Sequence, residues 1–461
     1  MPMSTIDRAS RGILALVCVA VVLSACASTD GPALPLVSLP MKWSAPVAPS
    51  SAAPPARWWH SFGDPVLDGL IEDALRTSND LAAAAIRVYR ARLQAGLAAT
   101  NLTPALGLDA GSKVSRMLDT HQMNRSGNLN GTLAYELDLW GKLAAQRSAA
   151  RWEAQATEAD RQSAELTLIG TTASLYWQTG YLNQQIALGD ANIRYAEQTL
   201  ALVRSRYTAG AVSALDVTQS AQALSAQRAA QTRLIQQRTE SRNALAILFD
   251  RPPQSAVAEP KSLPDRPLPD VQAGLPADLL GRRPDLHAGE IRLRESLANV
   301  EIARTSFYPT FALTGSLGIS SDSLERVLQN PVATLGLGLA LPFIQWNTMQ
   351  LKIKVSGAEY QEAVVNFRQK LYGALAEVEN ALSRRLQLEE EARQLKLSLA
   401  QAQRAETLAR SRFTAGASGV QPWLDQQQRL RDAQSSLILN QRDRLDNQMA
   451  LYKALGGGTG T

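Results

Sequence analysis

Twice along this chain the spacing of apolar positions changes period in the same order: helical, then alternating, then helical again over a very long stretch. Just past Pro104 the pattern becomes strict alternation, with Leu106, Leu108, Ala110 and Val114 set against Gly107, Asp109, Gly111 and Lys113. A second run sets Leu129, Leu133, Tyr135, Leu137 and Leu139 against Asn128, Asn130, Thr132, Glu136 and Asp138. The later half repeats this with Phe311, Leu313, Leu317 and Ile319 against Thr310, Thr314 and Ser316, then Leu335, Leu337, Leu339 and Leu341 against Thr334, Gly336 and Gly338. Successive strand residues point to opposite faces, so these runs predict strands over 105–116, 128–139, 310–320 and 333–341, each two-faced.

Long helices are predicted after each hairpin, over 141–207 and 213–249 in the first half and over 347–413 and 421–455 in the second. Leu166, Ile169, Ala173 and Tyr176 keep helical spacing, and no proline occurs between Pro104 and Pro252. Helix interiors exclude proline because it lacks the amide donor and clashes with the preceding turn. At 1.5 Å per residue the longest helices would each run roughly 95 Å.

The two halves are copies. Asn79-Asp80-Leu81 returns as Pro284-Asp285-Leu286, Ile86 as Ile291, Pro104 as Pro309 and Trp140 as Trp346. Arg206-Tyr207-Thr208-Ala209-Gly210-Ala211 returns as Arg412-Phe413-Thr414-Ala415-Gly416-Ala417. So long a period means two whole modules, here 58–251 and 284–456, not a solenoid of short repeats. A proline cluster in 252–283 joins them, and 457–461 is a glycine-rich tail. Gly210 and Gly416 suit the left-handed end of a helix, Ser213 to Asp216 has the form of a capping box, and Pro422 fits a first helical turn.

Alternation alone also suits a soluble sheet packed on helices, but each run is about ten residues, the length a tilted strand needs to cross a bilayer. Four strands cannot close around water, and an open edge in lipid strands backbone groups at several kcal/mol each. Two copies would give eight strands with a filled interior, whereas three give twelve and begin to leave a pore. The expected fold is therefore mainly α with a membrane β-barrel, four strands from each internally duplicated chain entering a trimeric twelve-stranded barrel continuous with long helices.

The N-terminus supplies a compartment. Arg8 and Arg11 precede an apolar run from Ile13 to Leu23 that ends at Leu23-Ser24-Ala25-Cys26, the pattern of a secretory signal over 1–25. Those last four residues resemble a lipobox, which makes Cys26 an acylated N-terminus; an ordinary small-residue cleavage site is the alternative. Ala27 in place of an aspartate favours the outer membrane. The proline- and alanine-rich stretch 26–57 reads as a tether, and Cys26 would be the one mature cysteine.

Composition narrows the chemistry. Aromatics make up 5%, and 47 basic residues are interspersed with 42 acidic ones, so no basic block points to nucleic acid. His60, His121 and His287 are scattered, no phosphate-binding glycine loop occurs and no helical run is apolar enough to span a bilayer. No enzyme, metal or cofactor is expected apart from the covalent lipid, so energy for transport must come from a partner.

With these parts in order, the chain resembles the TolC-like outer membrane factors, in particular the acylated NodT-like branch serving resistance-nodulation-division (RND) efflux pumps. The resemblance rests on Trp59-His60-Ser61-Phe62-Gly63-Asp64-Pro65, on Tyr135-Glu136-Leu137-Asp138-Leu139-Trp140-Gly141-Lys142 and on the two RxTAG turns. It implies a homotrimer whose outer-membrane barrel continues as a periplasmic α-barrel, a periplasmic adaptor (membrane fusion protein) and an inner-membrane RND-type pump. It places adaptor contact at Arg206, Tyr207, Gly210, Asp216, Arg412, Phe413, Gly416 and Asp425, although capping alone would account for the glycines and Asp216. A gate of charged rings is implied at Arg404, Glu406 and Arg410, where ordinary ion pairs are the alternative. The rival functions are an exit duct for secreted proteins, a periplasmic adaptor lipoprotein and a lipid-anchored hydrolase. Drugs, solvents, aromatic compounds and metal ions all stay open as cargo.

Overall fold

The structure, a computed structural model, describes residues 39–44, 55, 57–271, 273–321 and 331–458. Cys26 and the signal segment lie outside the described residues. The first half opens with helices α1 (Pro65–Thr77) and α2 (Asn79–Thr100), strands β1 (Ala105–Arg116) and β2 (Met123–Leu137), and helices α3 (Lys142–Thr208) and α4 (Ala214–Leu248). The second repeats the order with a short α5 (Leu279–Arg282), α6 (Pro284–Thr305), β3 (Thr310–Ser321), β4 (Pro331–Ala340), α7 (Trp346–Thr414) and α8 (Gln421–Ala454).

The four strands form one antiparallel sheet in chain order. The half-to-half join is β2 on β3, from Gly127 opposite Ser321 to Leu137 opposite Phe311. β2 begins five residues before the alternating run, because polar 123–127 pairs with the end of β1 down to Arg116 opposite Met123. It stops at Leu137 because Asp138 leaves the ladder to cap α3, accepting the Leu143 and Ala144 amides at 2.9 and 2.8 Å. Gly141, at φ 72°, makes the sharp entry into that helix. Trp140 donates its indole N–H to the Pro309 carbonyl at 2.7 Å, tying this junction to the other half.

α3 is the spine. Of its 67 residues 22 are buried, against 12 of 69 in α7, since α3 has neighbours on more of its circumference. Midway along it, Tyr176 and Trp177 are buried near an aromatic group from the chain's ends: Phe62 lies 5.0 Å from the Trp177 ring and Trp58 stacks 4.7 Å from Tyr452. The Tyr176 hydroxyl donates to Asp64 at 2.8 Å, and Asp64 also caps α1 through the Val66 and Leu67 amides. The motif at Trp59–Pro65 therefore serves as a structural latch. Trp43 is buried and donates to the Gly274 carbonyl at 2.9 Å, fastening its segment to the stretch between the two halves.

Candidate functional site

The sheet has one apolar and one polar face, and the register carries both across all four strands. Leu106 lies opposite Leu133, Tyr135 opposite Leu313 and Leu313 opposite Leu337, all on the first face. On the second, Asp109 lies opposite Asn130, Thr132 opposite Ser316 and Thr314 opposite Gly336. Leu106 is 83% exposed and Leu335 78%, a surface that water disfavours and hydrocarbon does not.

On the polar face, glycines stand where neighbouring side chains leave no room. A Cβ on Gly107 would stand 2.6 Å from the Thr132 hydroxyl, one on Gly111 2.6 Å from the Asn128 amide oxygen, and one on Gly336 2.9 Å from the Thr314 hydroxyl. The Thr132, Asn128 and Thr314 side chains lie over these glycines, so in each of the three pairs the opposite position is left without a side chain. Among the described residues, the outer edges, on β1 and β4, have no partner strand. No helix among the described residues is long and apolar enough to cross a membrane.

At the far end of the long helices the two RxTAG turns meet. Each closes a Schellman motif: Ala211 N–H donates to the Arg206 carbonyl at 2.8 Å with Gly210 at φ 74°, and Ala417 N–H to the Arg412 carbonyl at 2.9 Å with Gly416 at φ 75°. Ser213 and Asp216 form the expected capping box, and Asp216 also accepts the Val420 amide at 3.3 Å, joining the turns. The hydrogen bond from the Ser213 hydroxyl holds the Asp216 carboxyl below the usual carboxylate range.

The turns are not equivalent. Arg206 reaches across, donating to the Phe413 carbonyl at 2.7 Å and to the Thr414 carbonyl, with its guanidinium 4.9 Å from the Phe413 ring centre. Arg412 is exposed. Phe413 is fully buried, stacked 5.3 Å from Trp423 beside Val203 and Val420, while Tyr207, its counterpart, is 50% exposed. A partner docking on the turns therefore does not reach the Phe413 ring, and Arg206 is held by its own chain. Tyr207, Gly210, Arg412, Gly416 and Asp425 are exposed, and Asp216 partly so.

The three charges before the second turn also separate. Arg404 and Arg410 are exposed, whereas Glu406 is 6% exposed and accepts hydrogen bonds from the Trp423 indole at 2.8 Å and from the Tyr195 hydroxyl. Burial, and then the Glu406 carboxylate, push the Tyr195 hydroxyl up to about 12. Glu406 fastens α3, α7 and α8 to one another and presents no charge to a lumen, because its carboxylate is spent inside the chain. Sequence reasoning missed Tyr195 and Trp423, which lie 211 and 17 residues from Glu406 on two other helices, so no local spacing signals their contact with it.

Comparison with known proteins places these features in a family. The model described as "Outer membrane efflux protein" matches residues 70–249 and 275–457. The chain is 33% identical to a pyoverdine export outer membrane protein, OpmQ, of Pseudomonas putida over 95% of each chain. It is 28% identical to a toluene efflux pump outer membrane protein, TtgC, of the same species over 97% of this chain and 96% of the relative. Among solved structures it is similar to the open state of the MtrE outer membrane channel of Neisseria gonorrhoeae, with a TM-score of 0.80 at 28% identity, covering 93% of this chain and 97% of that one.

Proposed function

This chain belongs to the outer membrane efflux protein family, and we propose that three copies close into a duct tethered to the outer membrane by an acylated Cys26. The protein is not an enzyme; it is the outer membrane channel of a tripartite efflux pump. The observation that carries the trimer is the sheet whose two edges are unpaired among the described residues, with a crowded, glycine-relieved polar face. Three such sheets pair every edge and enclose water.

A periplasmic adaptor engages the turns through Tyr207, Gly210, Arg412, Gly416 and Asp425, with Asp216 at the margin. Arg206 and Phe413 act indirectly, by fixing the shape of the turns. An inner-membrane RND-type pump supplies the energy. Arg404 and Arg410, exposed on the last turns of α7 before the second RxTAG turn, form the candidate constriction, their like charges repeated by symmetry. Small organic molecules are the proposed cargo, on the strength of relatives named for pyoverdine and toluene.

The test is oligomer mass and single-channel conductance in planar bilayers, wild type beside Arg404→Gln with Arg410→Gln. A trimer whose small, intermittent conductance rises in the double variant is the expected result. Unchanged conductance in a trimer removes the constriction from these arginines; a monomer without conductance overturns the duct.

A further inference from the structure

The apolar face of the hairpin formed by β1 and β2 does not stay apolar to its tip. The register of the two strands runs without a break from Ala105 opposite Ala134 to Arg116 opposite Met123. Residues two apart on an unbulged strand share a side, so the face of Leu106, Leu108 and Ala110 continues through Ser112 and Val114 to Arg116. Val114 lies opposite Arg125, which places Arg125 on that face as well. Lys113, opposite Ser126, stands on the polar face with Asp109. The alternation that makes the rest of the face uncharged therefore ends in a pair of arginines.

Strand length sets their depth. At about 3.4 Å per residue, Arg116 stands about 34 Å along β1 from Leu106. With the usual tilt of about 40° this becomes roughly 26 Å along the membrane normal, against an apolar band about 25 Å tall on a bilayer-spanning barrel. The long helices leave the sheet at its other end, so the arginines reach the head groups of the leaflet farther from the helices. The two rims differ in composition. At the helix end Trp140 packs edge-on against Tyr308 at 5.4 Å and Trp346 is exposed, whereas 112–128, around the hairpin tip, contains no Phe, Tyr or Trp. Aromatic rings suit an interface of any head group, but guanidinium groups suit an anionic one.

Arg116 and Arg125 are diagonal neighbours across the pair, a relation that sets Cα atoms about 7–8 Å apart. Both are exposed, and neither has an ion pair or hydrogen bond among the described residues. The strand acids of the hairpin, Asp109 and Glu136, stand on the opposite face. Like charges so placed repel one another unless an anion sits between them. We propose that Arg116 and Arg125 together bind the phosphate monoester of a lipid head group in the leaflet farther from the helices, with the acyl chains lying along Val114, Ala110 and Leu129. The proposal rests on the membrane-spanning reading above and adds to it the lipid class and the residues that hold it. A monoester carries about −1.5 to −2 charge at neutral pH and so matches two cations, where a phospholipid diester carries a single charge. Planar guanidinium groups bond phosphate oxygens bidentately, and their aliphatic stems lie on the apolar face beneath.

The test is native mass spectrometry of the full-length protein extracted from phosphatidylcholine vesicles doped with diphosphoryl lipid A or, in parallel, with phosphatidylglycerol. Wild type is expected to carry lipid A as adducts on the trimer, to carry little phosphatidylglycerol, and to keep its lipid A in excess inorganic phosphate. Arg116→Gln with Arg125→Gln is expected to lose the adducts by about tenfold or more, the loss of hydrogen bonds between charged groups. Lys113→Gln, which removes a cation from the other face of the same strand, keeps them. A trimer whose double variant retains lipid A, or whose Lys113→Gln variant loses it equally, overturns the site and leaves the duct standing. Equal retention of phosphatidylglycerol, or release of lipid A by inorganic phosphate, overturns the monoester lipid as the ligand. A monomer that carries no lipid overturns both the duct and the site.

Discussion

The two turns at the ends of the long helices share a sequence signature and a backbone, yet their side chains do different work. In the first, Arg206 is spent on the carbonyls of the second turn and Tyr207 is half exposed; in the second, Arg412 is free to solvent and Phe413 is sealed against Trp423. Duplication fixes the main chain through the glycines and Schellman hydrogen bonds, which depend on no neighbour. Side-chain roles diverge because each half meets the other from only one side. The same asymmetry separates α2 from α6, and β1 and β4 from the paired strands between them. What looks redundant in sequence is one surface used inward and its twin used outward.

The sharpest way to break this comparison is to truncate the ring at each turn. Phe413→Ala removes a fully buried aromatic and is expected to lower local stability by about 3–5 kcal/mol, seen as faster hydrogen exchange at Gly416 and Ala417. Tyr207→Ala is expected to change exchange little, within about 0.5 kcal/mol, and to weaken adaptor cross-linking instead. Equal exchange effects would mean that the two turns are equivalent after all.

Next in size is the arginine pair. Arg206→Ala leaves two carbonyls and a ring face without their cation, an expected loss of about 1.5–3 kcal/mol at the turn by the same exchange measurement. Arg412→Ala is expected to leave exchange unchanged while reducing adaptor capture. If Arg412→Ala loosens the turn as much as Arg206→Ala, the outward assignment of Arg412 fails.

These contrasts also mark how far the sequence could be read. The strands, long helices, duplication and turns were legible because each depends on local periodicity or on glycine and proline, and the register then joined the predicted faces of β1 to β4 without a break. The early start of β2 was not legible, since 123–127 has no apolar alternation and is a strand only because β1 extends beside it. Neither was the burial of Phe413 and Glu406, which depends on Trp423 and Tyr195 arriving from helices far away in the chain. A charge in an amphipathic helix reads as solvent-facing until its partner is known, and so Glu406 was grouped with two arginines whose setting it does not share.

A smaller effect tests what the turns do share. Gly210→Ala and Gly416→Ala each place a side chain at φ 74° and 75°, with open space around the new methyl, so only backbone strain is added. Both are expected to destabilise by about 1–2 kcal/mol, and by equal amounts. Unequal losses in thermal unfolding would show that the surrounding side chains, not the duplicated main chain, set the geometry of the turns.

The smallest expected effect sits at the Glu406 anchor and is read by pH. Tyr195 holds its proton more tightly folded than unfolded, its hydroxyl pushed from the ordinary 10 to about 12. Its contribution to stability is therefore complete below pH 10 and lost as pH rises from 10 through 12. Glu406→Gln removes the negative charge beside the hydroxyl while keeping an oxygen that can accept its hydrogen bond. The tyrosinate absorbance of this residue, isolated by difference against Tyr195→Phe, is expected to shift toward lower pH in Glu406→Gln, and the alkaline fall in stability, which still begins near pH 10, to be smaller and to level off sooner. No change in the Tyr195 titration would mean that burial alone raises it and that the carboxylate is not its partner in the assembled duct. That outcome would return Glu406 to the lumen-facing set with Arg404 and Arg410.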